Sequence, residues 1–229
     1  TTAVLGGNGA GKSTLFLTLN GILRPEKGVV KFKGKPLDYT SGGVRLLRKS
    51  VGVVFQDPDD QLFSTSVFRD VSFGPMNLKL PESEVRERVE KALRLTGTID
   101  LEDRPVHNLS FGQKKRVAVA GVLAMQPEVL VLDEPTAGLD PTGVSEIMRM
   151  LRGIQEDMGL TVIISTHDID IVPLYCDYVY VLDHGKKVME GTPQEVFHRP
   201  GKLHEINLML PRIGHLVEIL DKEDGFGLG

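Results

Sequence analysis

One stretch, Gly6-Gly7-Asn8-Gly9-Ala10-Gly11-Lys12-Ser13-Thr14, limits the possible fold more than any other part of the sequence. It matches the pattern G-x-x-x-x-G-K-[ST], which lies where a buried strand turns into a helix. Its glycines allow successive backbone N–H groups to surround phosphate oxygens, and the N-terminus of the helix adds positive charge. Lys12 is then placed to reach the terminal phosphates, and the Ser13 hydroxyl to bind Mg²⁺. The alternative is a glycine-rich turn that only connects a strand to a helix.

A pair of carboxylates follows a strongly apolar run later in the chain. Val129–Leu132 has the character of a buried strand, and Asp133 and Glu134 come directly after it. A phosphate-binding loop needs an acidic partner for Mg²⁺ at such a position. We therefore predict that Asp133 contacts the metal by way of the ligands in the coordination shell of the metal. Glu134, on the opposite side of the strand end, is predicted to polarise an attacking water. A solvated turn after a core strand is the alternative interpretation of this pair.

Short apolar runs alternate with helical patterns along most of the chain, which predicts an α/β fold with a largely parallel sheet. The predicted strands are rich in β-branched or aromatic residues and lie at Thr2–Leu5, Val29–Phe32, Val51–Phe55, Val129–Leu132, Thr161–Ser165 and Tyr178–Leu182. Helical spacing of apolar residues predicts helices over Ser13–Asn20, Glu82–Thr96 and Val144–Met158. Thr192 and Glu195 have the spacing of a capping box, so a further helix is expected to begin at Pro193.

Composition and charge narrow the functional classes. The 229 residues include 27 Lys and Arg against 31 Asp and Glu, which gives a net charge of −4 and a pI near 5.9. This balance argues against a nucleic-acid partner, because such partners are bound by basic surfaces. The single cysteine, Cys176, fits a reducing compartment, and we expect it to be buried and inert. The first residues lack an initiator Met and the features of a signal peptide, so we expect a fragment of a cytoplasmic protein.

Further motifs follow the phosphate loop in order: Gln56 after the run Val51–Phe55, Leu109-Ser110-Phe111-Gly112-Gln113, Ala137-Gly138-Leu139-Asp140, and His167 after the run Thr161–Ser165. In these motifs the chain resembles the ATP-binding subunits of ABC transporters, over nearly its whole length. The resemblance implies a P-loop NTPase fold that binds ATP and Mg²⁺. It also implies a domain with a RecA-like core over residues 1–197, a helical signature subdomain at about 57–125, and a small C-terminal helical extension at 198–229.

The resemblance assigns a role to each of these motifs. Gln56 is the Q-loop glutamine, a metal ligand and catalytic group, and Asp140 lies in the D-loop beside the nucleotide. His167 is the switch histidine, and its place after an apolar strand fits the edge where open α/β sheets gather ligand groups. Together with Lys12 and Glu134, the glutamine and the histidine make up the expected catalytic set.

The signature segment, Leu109–Gln113, also has a physical interpretation of its own. Ser110 occupies the expected N-cap of a helix, so its hydroxyl and the N–H groups of Phe111 and Gly112 are predicted to form an anion site. In the family this segment, whose last residue here is Gln113, binds the γ-phosphate of ATP held by the other protomer. Phe111 replaces the glycine that is common at its position. An ordinary helix start is the alternative.

A narrower resemblance is carried by Phe55–Phe63 and Leu109–Ala118, which are similar to the ATPases of energy-coupling-factor importers, especially the cobalt-transport type. Leu210–Leu216 is similar to their C-terminal extension. The likeness implies a second ATPase protomer, identical or related, and a transmembrane importer subunit, with the chain on the cytoplasmic face of the membrane. The transported substrate is left undetermined, and cobalt, nickel and a vitamin are all compatible with the sequence. The adenine-stacking aromatic residue of the family lies in an N-terminal segment that we expect to be missing from this sequence.

Two other functions fit a phosphate-binding loop. A soluble ABC ATPase acting on chromosomes or ribosomes would have long coiled-coil insertions or two ATPase units per chain, and this sequence has neither. A regulator that binds nucleotide without hydrolysis would need neither Glu134 nor His167. We further expect the membrane subunit to contact Asp57–Leu80, with Phe68 among its exposed apolar residues; the alternative is that this segment forms a small satellite core.

Overall fold

The computed structural model describes residues 1–206 and 208–212. Its strands are β1 (Thr2–Leu5), β2 (Lys31–Phe32), β3 (Lys35–Pro36), β4 (Val51–Val54), β5 (Val129–Leu132), β6 (Thr161–Ser165), β7 (Tyr178–Asp183) and β8 (Lys186–Gly191). Its α-helices are α1 (Lys12–Leu19), α2 (Ser41–Ser50), α3 (Val67–Asn77), α4 (Glu82–Leu95), α5 (Phe111–Leu123), α6 (Pro141–Met158), α7 (Val172–Tyr175), α8 (Pro193–Phe197) and α9 (Pro200–Glu205). The chain divides into two compact units, a larger one over Ser13–Ile164 and a smaller one formed by the chain on either side.

Parallel strands lie at the centre of the larger unit. Strand β4 pairs with β5, and β5 pairs with β6, all in parallel. Nearly every residue of β4 and β5 is buried, and such continuous runs of Val and Leu are typical of parallel strands that are covered on both faces. Helix α6 adds buried Ile147, Leu151 and Ile154 to the core. The prediction of an α/β fold with parallel strands is confirmed.

Three helices of the larger unit, α3, α4 and α5, contact one another. Their shared core includes Val71, Val89 and Leu93, each fully buried. The charged face of α4 carries i,i+4 ion pairs such as Arg88 with Glu84, which stabilise a solvent-facing helix by a few tenths of a kcal/mol each. These helices fall within the range predicted as a helical subdomain. The predicted domain boundaries themselves stay a prediction.

The smaller unit contains a second group of strands. Strand β1 pairs in parallel with β7, and β7 pairs in antiparallel fashion with β8. His184 and Gly185 connect β7 to β8, and both have positive φ values, 44° and 76°. Such a pair fits a two-residue hairpin turn, whose twist matches that of the flanking strands. Strand β8 was not predicted from the sequence.

Most predicted elements are confirmed with small shifts at their ends. Helix α8 begins at Pro193 and is capped by Thr192 through a capping box, as predicted. Helix α6 begins at Pro141, earlier than predicted, because the Asp140 carboxylate accepts a hydrogen bond from the N–H of Gly143 at 2.7 Å and caps the helix there. The prediction of a strand over Val29–Phe32 is wrong in its length, because it begins two residues too early. Only Lys31–Phe32 pairs, because the chain turns back into β3.

The C-terminal part of the chain can be compared with the prediction only in part. Helix α9 lies within the predicted extension at 198–229. Residues 207 and 213–229 are outside the described part of the chain, so the resemblance over Leu210–Leu216 is untested beyond Arg212. Within the residues that the structure describes, no helix has both the length and the apolar character needed to cross a membrane.

Candidate functional site

The first part of the phosphate loop, Gly6–Lys12, belongs to the smaller unit and connects β1 to helix α1. Only glycine fits at Gly6, because a Cβ there would lie 2.5 Å from the carbonyl oxygen of Leu182 and 2.8 Å from the Cβ of Ala10. The carbonyl of Ala10 accepts a hydrogen bond from the N–H of Gly185 at 3.0 Å. The loop is therefore held against the β7–β8 hairpin and ends at a helix N-terminus, which is the local structure that the sequence predicts.

Lys12 is buried within its own loop. Its Nζ donates hydrogen bonds to the carbonyl oxygens of Gly6 at 2.7 Å and Gly7 at 3.2 Å. The backbone from Gly7 to Gly9, by contrast, is exposed, as are Ser13 and Thr14. A cation held beside exposed N–H groups at the start of a helix is a suitable environment for an anion.

Ser13 and Asp133 meet within the larger unit. The Ser13 hydroxyl donates a hydrogen bond to Oδ2 of Asp133 at 2.6 Å, and the N–H of Asp133 in turn donates to the carbonyl of Val54 at 2.9 Å. A hydroxyl and a carboxylate are hard oxygen ligands, which suit Mg²⁺. In the described part of the chain, no group of three or more His, Cys, Asp or Glu side chains could hold a metal. The Ser13 hydroxyl and the Asp133 carboxylate fit a Mg²⁺ ion that takes its other ligands from phosphates and water.

Glu134 has an unusual backbone conformation. Its φ is 45°, in the left-handed region that non-glycine residues seldom adopt, and its side chain is nearly buried. Its carbonyl oxygen accepts hydrogen bonds from the N–H of Ala137 at 3.1 Å and from Nζ of Lys115 at 3.2 Å. The turn after β5 is thus fixed by specific contacts, and it is not a loosely solvated turn.

Gln56 and Asp133 face a common cavity of about 570 Å³ in the larger unit. The remaining lining residues are Phe55, Asp57, Asp60, Phe111, Ala137 and Gly138. The residue before Gln56 is held by Gln61, whose Oε1 accepts from the N–H of Phe55 at 3.2 Å and whose Nε2 donates to the carbonyl of Ala118 at 3.2 Å. The structure therefore brings the predicted metal ligands Gln56 and Asp133 to one place.

The signature segment begins helix α5 with a capping box. The Ser110 hydroxyl accepts from the N–H of Gln113 at 3.3 Å, and Oε1 of Gln113 accepts from the N–H of Ser110 at 2.9 Å. This confirms the predicted N-cap. Ser110, Gly112 and Gln113 line a cavity of about 380 Å³ that is separate from the one beside Asp133. The ring of Phe111 is turned the other way and packs against Gly138.

The remaining predicted site residues lie elsewhere. Asp140 caps helix α6, as described above. His167 belongs to the smaller unit and is exposed. The preceding residue, Thr166, is buried. The N–H of Thr166 donates to the carbonyl of Val4 at 3.4 Å, and its Oγ1 accepts from the N–H of Asp168 at 2.9 Å. The backbone on both sides of His167 is therefore anchored.

Sequence reasoning missed one residue of the site, Lys115. It lies in a run of three basic residues, Lys114-Lys115-Arg116, which by composition alone indicates a solvated surface. The structure buries Lys115 instead, and burial lowers the pKa of its ammonium group, while Asp57 and Glu134 act in the opposite direction. Its position four residues after Phe111, about one helical turn, was the only available signal.

Comparisons with known proteins identify the family. The family model described as "ABC transporter" matches residues 1–137. The energy-coupling factor transporter ATP-binding protein EcfA3 of Clostridium perfringens is 61% identical over 98% of this chain and 79% of its own length. EcfA of Methanocaldococcus jannaschii is 57% identical over 99% of this chain and 83% of its own length.

Solved structures agree with these relatives. The cbiO1 protein of Clostridium perfringens, part of the ABC transporter complex cbiONQ, has a TM-score of 0.82 and 61% identity, covering 95% of this chain and 86% of its own. The ATP-binding cassette MJ0796, a dimer bound to ADP and Pi, has a TM-score of 0.74 and 26% identity, covering 84% of each chain. The chain therefore belongs to the ABC transporter family and, within it, to the energy-coupling factor transporter ATP-binding proteins.

Proposed function

We propose that this ATPase powers an energy-coupling-factor importer from the cytoplasmic face of the membrane, using MgATP bound at the phosphate loop. The observation that carries the proposal is the 2.6 Å hydrogen bond between the Ser13 hydroxyl and the Asp133 carboxylate. It joins the phosphate loop to the strand end that also carries Glu134. Within the larger unit, the hydroxyl proposed to bind Mg²⁺ would therefore lie next to the segment that carries the proposed base.

Binding of ATP would use the backbone of Gly6–Thr14. Its exposed N–H groups and the N-terminus of α1 attract the phosphates, and Lys12 exchanges its two carbonyl partners for phosphate oxygens, which form stronger charge-assisted bonds. Ser13, Asp133 and Gln56 would hold Mg²⁺. When bound, this ion neutralises part of the phosphate charge.

Hydrolysis would proceed by in-line attack of water on the γ-phosphorus. Glu134 accepts the proton of that water as the new P–O bond forms and the bond to the β–γ bridging oxygen breaks, which yields ADP and phosphate. His167 would help to orient the water, and Asp140 would contact the nucleotide from the D-loop. The buried setting of Glu134 supports this role, because a fixed carboxylate can accept a proton without reorganisation.

A second protomer would complete each site. Ser110 and Gly112 line a cavity separate from the one beside Asp133, whereas Phe111 lines the cavity beside Asp133. Within one chain, Ser110 and Gly112 therefore do not face the predicted metal ligand Asp133. Head-to-tail pairing of two chains would bring the signature segment of one onto the ATP of the other. The dimeric relative bound to ADP and Pi supports the pairing of two chains.

Mixing two inactive variants tests the shared site. Lys12→Ala removes phosphate binding in one chain, and Ser110→Arg blocks the signature segment in the other. The mixed dimer then keeps one intact composite site, so we expect ATPase activity well above the sum of the separate variants. Activity that never exceeds that sum would count against a site shared between protomers.

A groove of about 970 Å³ in the larger unit would receive a helix of the transmembrane subunit. Its lining includes Phe63 and Phe73, whose rings meet edge to face at 4.8 Å and are 66% and 50% exposed. Apolar anchors within a polar rim are typical of such docking sites. The prediction that Phe68 is exposed is wrong: its ring is only partly accessible, because the Arg86 guanidinium lies 5.3 Å from its centroid.

The two finer parts of the proposal concern cargo and domain division. A metal ion, cobalt or nickel, or a vitamin would be selected by the membrane subunits, so co-purification of those subunits would identify it. Residues 1–197 would form the ATPase domain, with the helical subdomain at about 57–125. Residues 198–229 would form the extension that helps to pair two ATPases.

A further inference from the structure

Lys115 is 4% exposed on a stretch of helix α5 whose neighbouring buried residues are apolar, among them Val117, Ala118 and Val119. Removing an ammonium group from water costs several kcal/mol unless polar partners replace the water. A methionine or leucine would fill such a place at lower cost. The partners of Lys115 therefore indicate what the cation does.

Those partners are the backbones of two candidate catalytic residues. Nζ of Lys115 donates to the carbonyl oxygen of Gln56 at 3.2 Å and to that of Glu134 at 3.2 Å. The ring centroid of Phe111 lies 5.2 Å from the same nitrogen, close enough for a cation–π contact. One ammonium group thus connects the loops that follow strands β4 and β5 to the helix that begins with the signature segment.

The contact with Glu134 has a specific structural consequence. A left-handed conformation is strained in a glutamate and persists only where surrounding contacts enforce it. Here two donors hold the Glu134 carbonyl, the N–H of Ala137 and Nζ of Lys115. The direction of that carbonyl fixes the peptide plane, and with it the starting direction of the glutamate side chain.

We propose that Lys115 is a positioning residue for ATP cleavage, whose ammonium group fixes the backbones of Glu134 and Gln56 relative to helix α5. It would act through the backbones of these two residues. The inference rests on the proposed role of Glu134 as the base. A displacement of about 1 Å in a catalytic group can cost a factor of about 10² in rate, so loss of the tether should lower kcat and leave ATP affinity intact.

The first test replaces the cation by an apolar side chain of similar length. Lys115→Met should lower kcat at least about 10-fold, with the Kd for ATP, measured by fluorescent-nucleotide displacement, within about twofold of the original. Lys114→Met is the matched control, since Lys114 is the preceding residue on the same helix and pairs with Asp59 at the surface. The control should keep its kcat. Equal kcat values for Lys115→Met and the unmodified protein would overturn the proposal.

The second test asks whether Lys115 acts through Glu134. If it does, Lys115→Met should cause almost no further loss in a Glu134→Gln background, because residues that act as a unit are non-additive. A loss that multiplies in the double variant would show that Lys115 does not act through Glu134, and would overturn the proposal that it positions the base. Full activity of Glu134→Gln alone would instead remove the proposed function, so the two failures are distinguishable.

A separate variant covers the case in which Lys115→Met does not fold, as judged by thermal unfolding. Lys115→Gln keeps an N–H donor in the buried site but has no charge and a shorter reach. It should fold, bind ATP and show the same selective loss of kcat. A folded Lys115→Gln variant with the original kcat would overturn the proposal.

Discussion

Asp70 offers a quantitative test of how the groove beside helix α3 is held. Its buried carboxylate accepts two backbone hydrogen bonds through Oδ2, from the N–H of Phe63 at 2.9 Å and from that of Ser64 at 2.8 Å. These bonds tie the loop that carries the exposed Phe63 to the helix that carries Phe73. Asp70→Ala removes the single oxygen that accepts both bonds.

The expected loss can be worked from these contacts. A donor left unsatisfied inside a protein costs about 1–3 kcal/mol, and the two N–H groups here are only partly buried, so about 1 kcal/mol each is appropriate. The total is about 2 kcal/mol. In a chain of this size 1 kcal/mol shifts Tm by about 2–4 °C, so Asp70→Ala should lower Tm by about 4–8 °C.

Thermal unfolding followed by circular dichroism measures this shift. Asp103→Ala is the matched control, since Asp103 is exposed in the same unit and should change Tm by less than about 2 °C. If Asp70→Ala and Asp103→Ala unfold at the same temperature, the carboxylate does not hold the loop.

Two other predictions concern the groove and the cysteine. Phe73→Glu should abolish assembly with the membrane subunit in a pull-down while ATP binding persists. Leu174, an exposed apolar residue in the other unit, is the control, and Leu174→Glu should assemble normally. If both variants assemble, the contact lies elsewhere. Burial raises the pKa of Cys176 to about 12, so its thiolate forms only as the pH approaches that value and is about 10⁻⁴ of the thiol at pH 8. Iodoacetamide should therefore alkylate the folded protein far more slowly than the guanidine-unfolded chain, and equal rates would contradict the burial.

Features encoded by neighbouring residues could be predicted from the sequence. Thr192 and Ser110 each form a cap with a residue three positions later, and both caps are present. The runs that became β4 and β5 are apolar enough to be identified without knowledge of their partners.

Features that depend on distant contacts could not be predicted. Strand β8 has the sequence Lys-Lys-Val-Met-Glu-Gly, which lacks the alternation of polar and apolar residues that marks a strand, and it lies at a sheet edge. Helix α2 opens with Ser-Gly-Gly, a weak helix-forming sequence that Thr40 caps and buried Leu47 anchors. The burial of Lys115 depends on loops that lie 59 and 19 residues away in sequence. No local pattern marks such a contact.

ATP turnover by Glu134→Gln tests the central claim most directly. The substitution keeps the shape of the side chain and removes its basicity, so kcat should fall by about 10²–10⁴ while the Kd for ATP stays close to the original. Lys12→Ala, measured in parallel, should lose ATP affinity instead, because its phosphate contacts are gone. A Glu134→Gln variant that hydrolyses ATP at nearly the original rate would contradict the account.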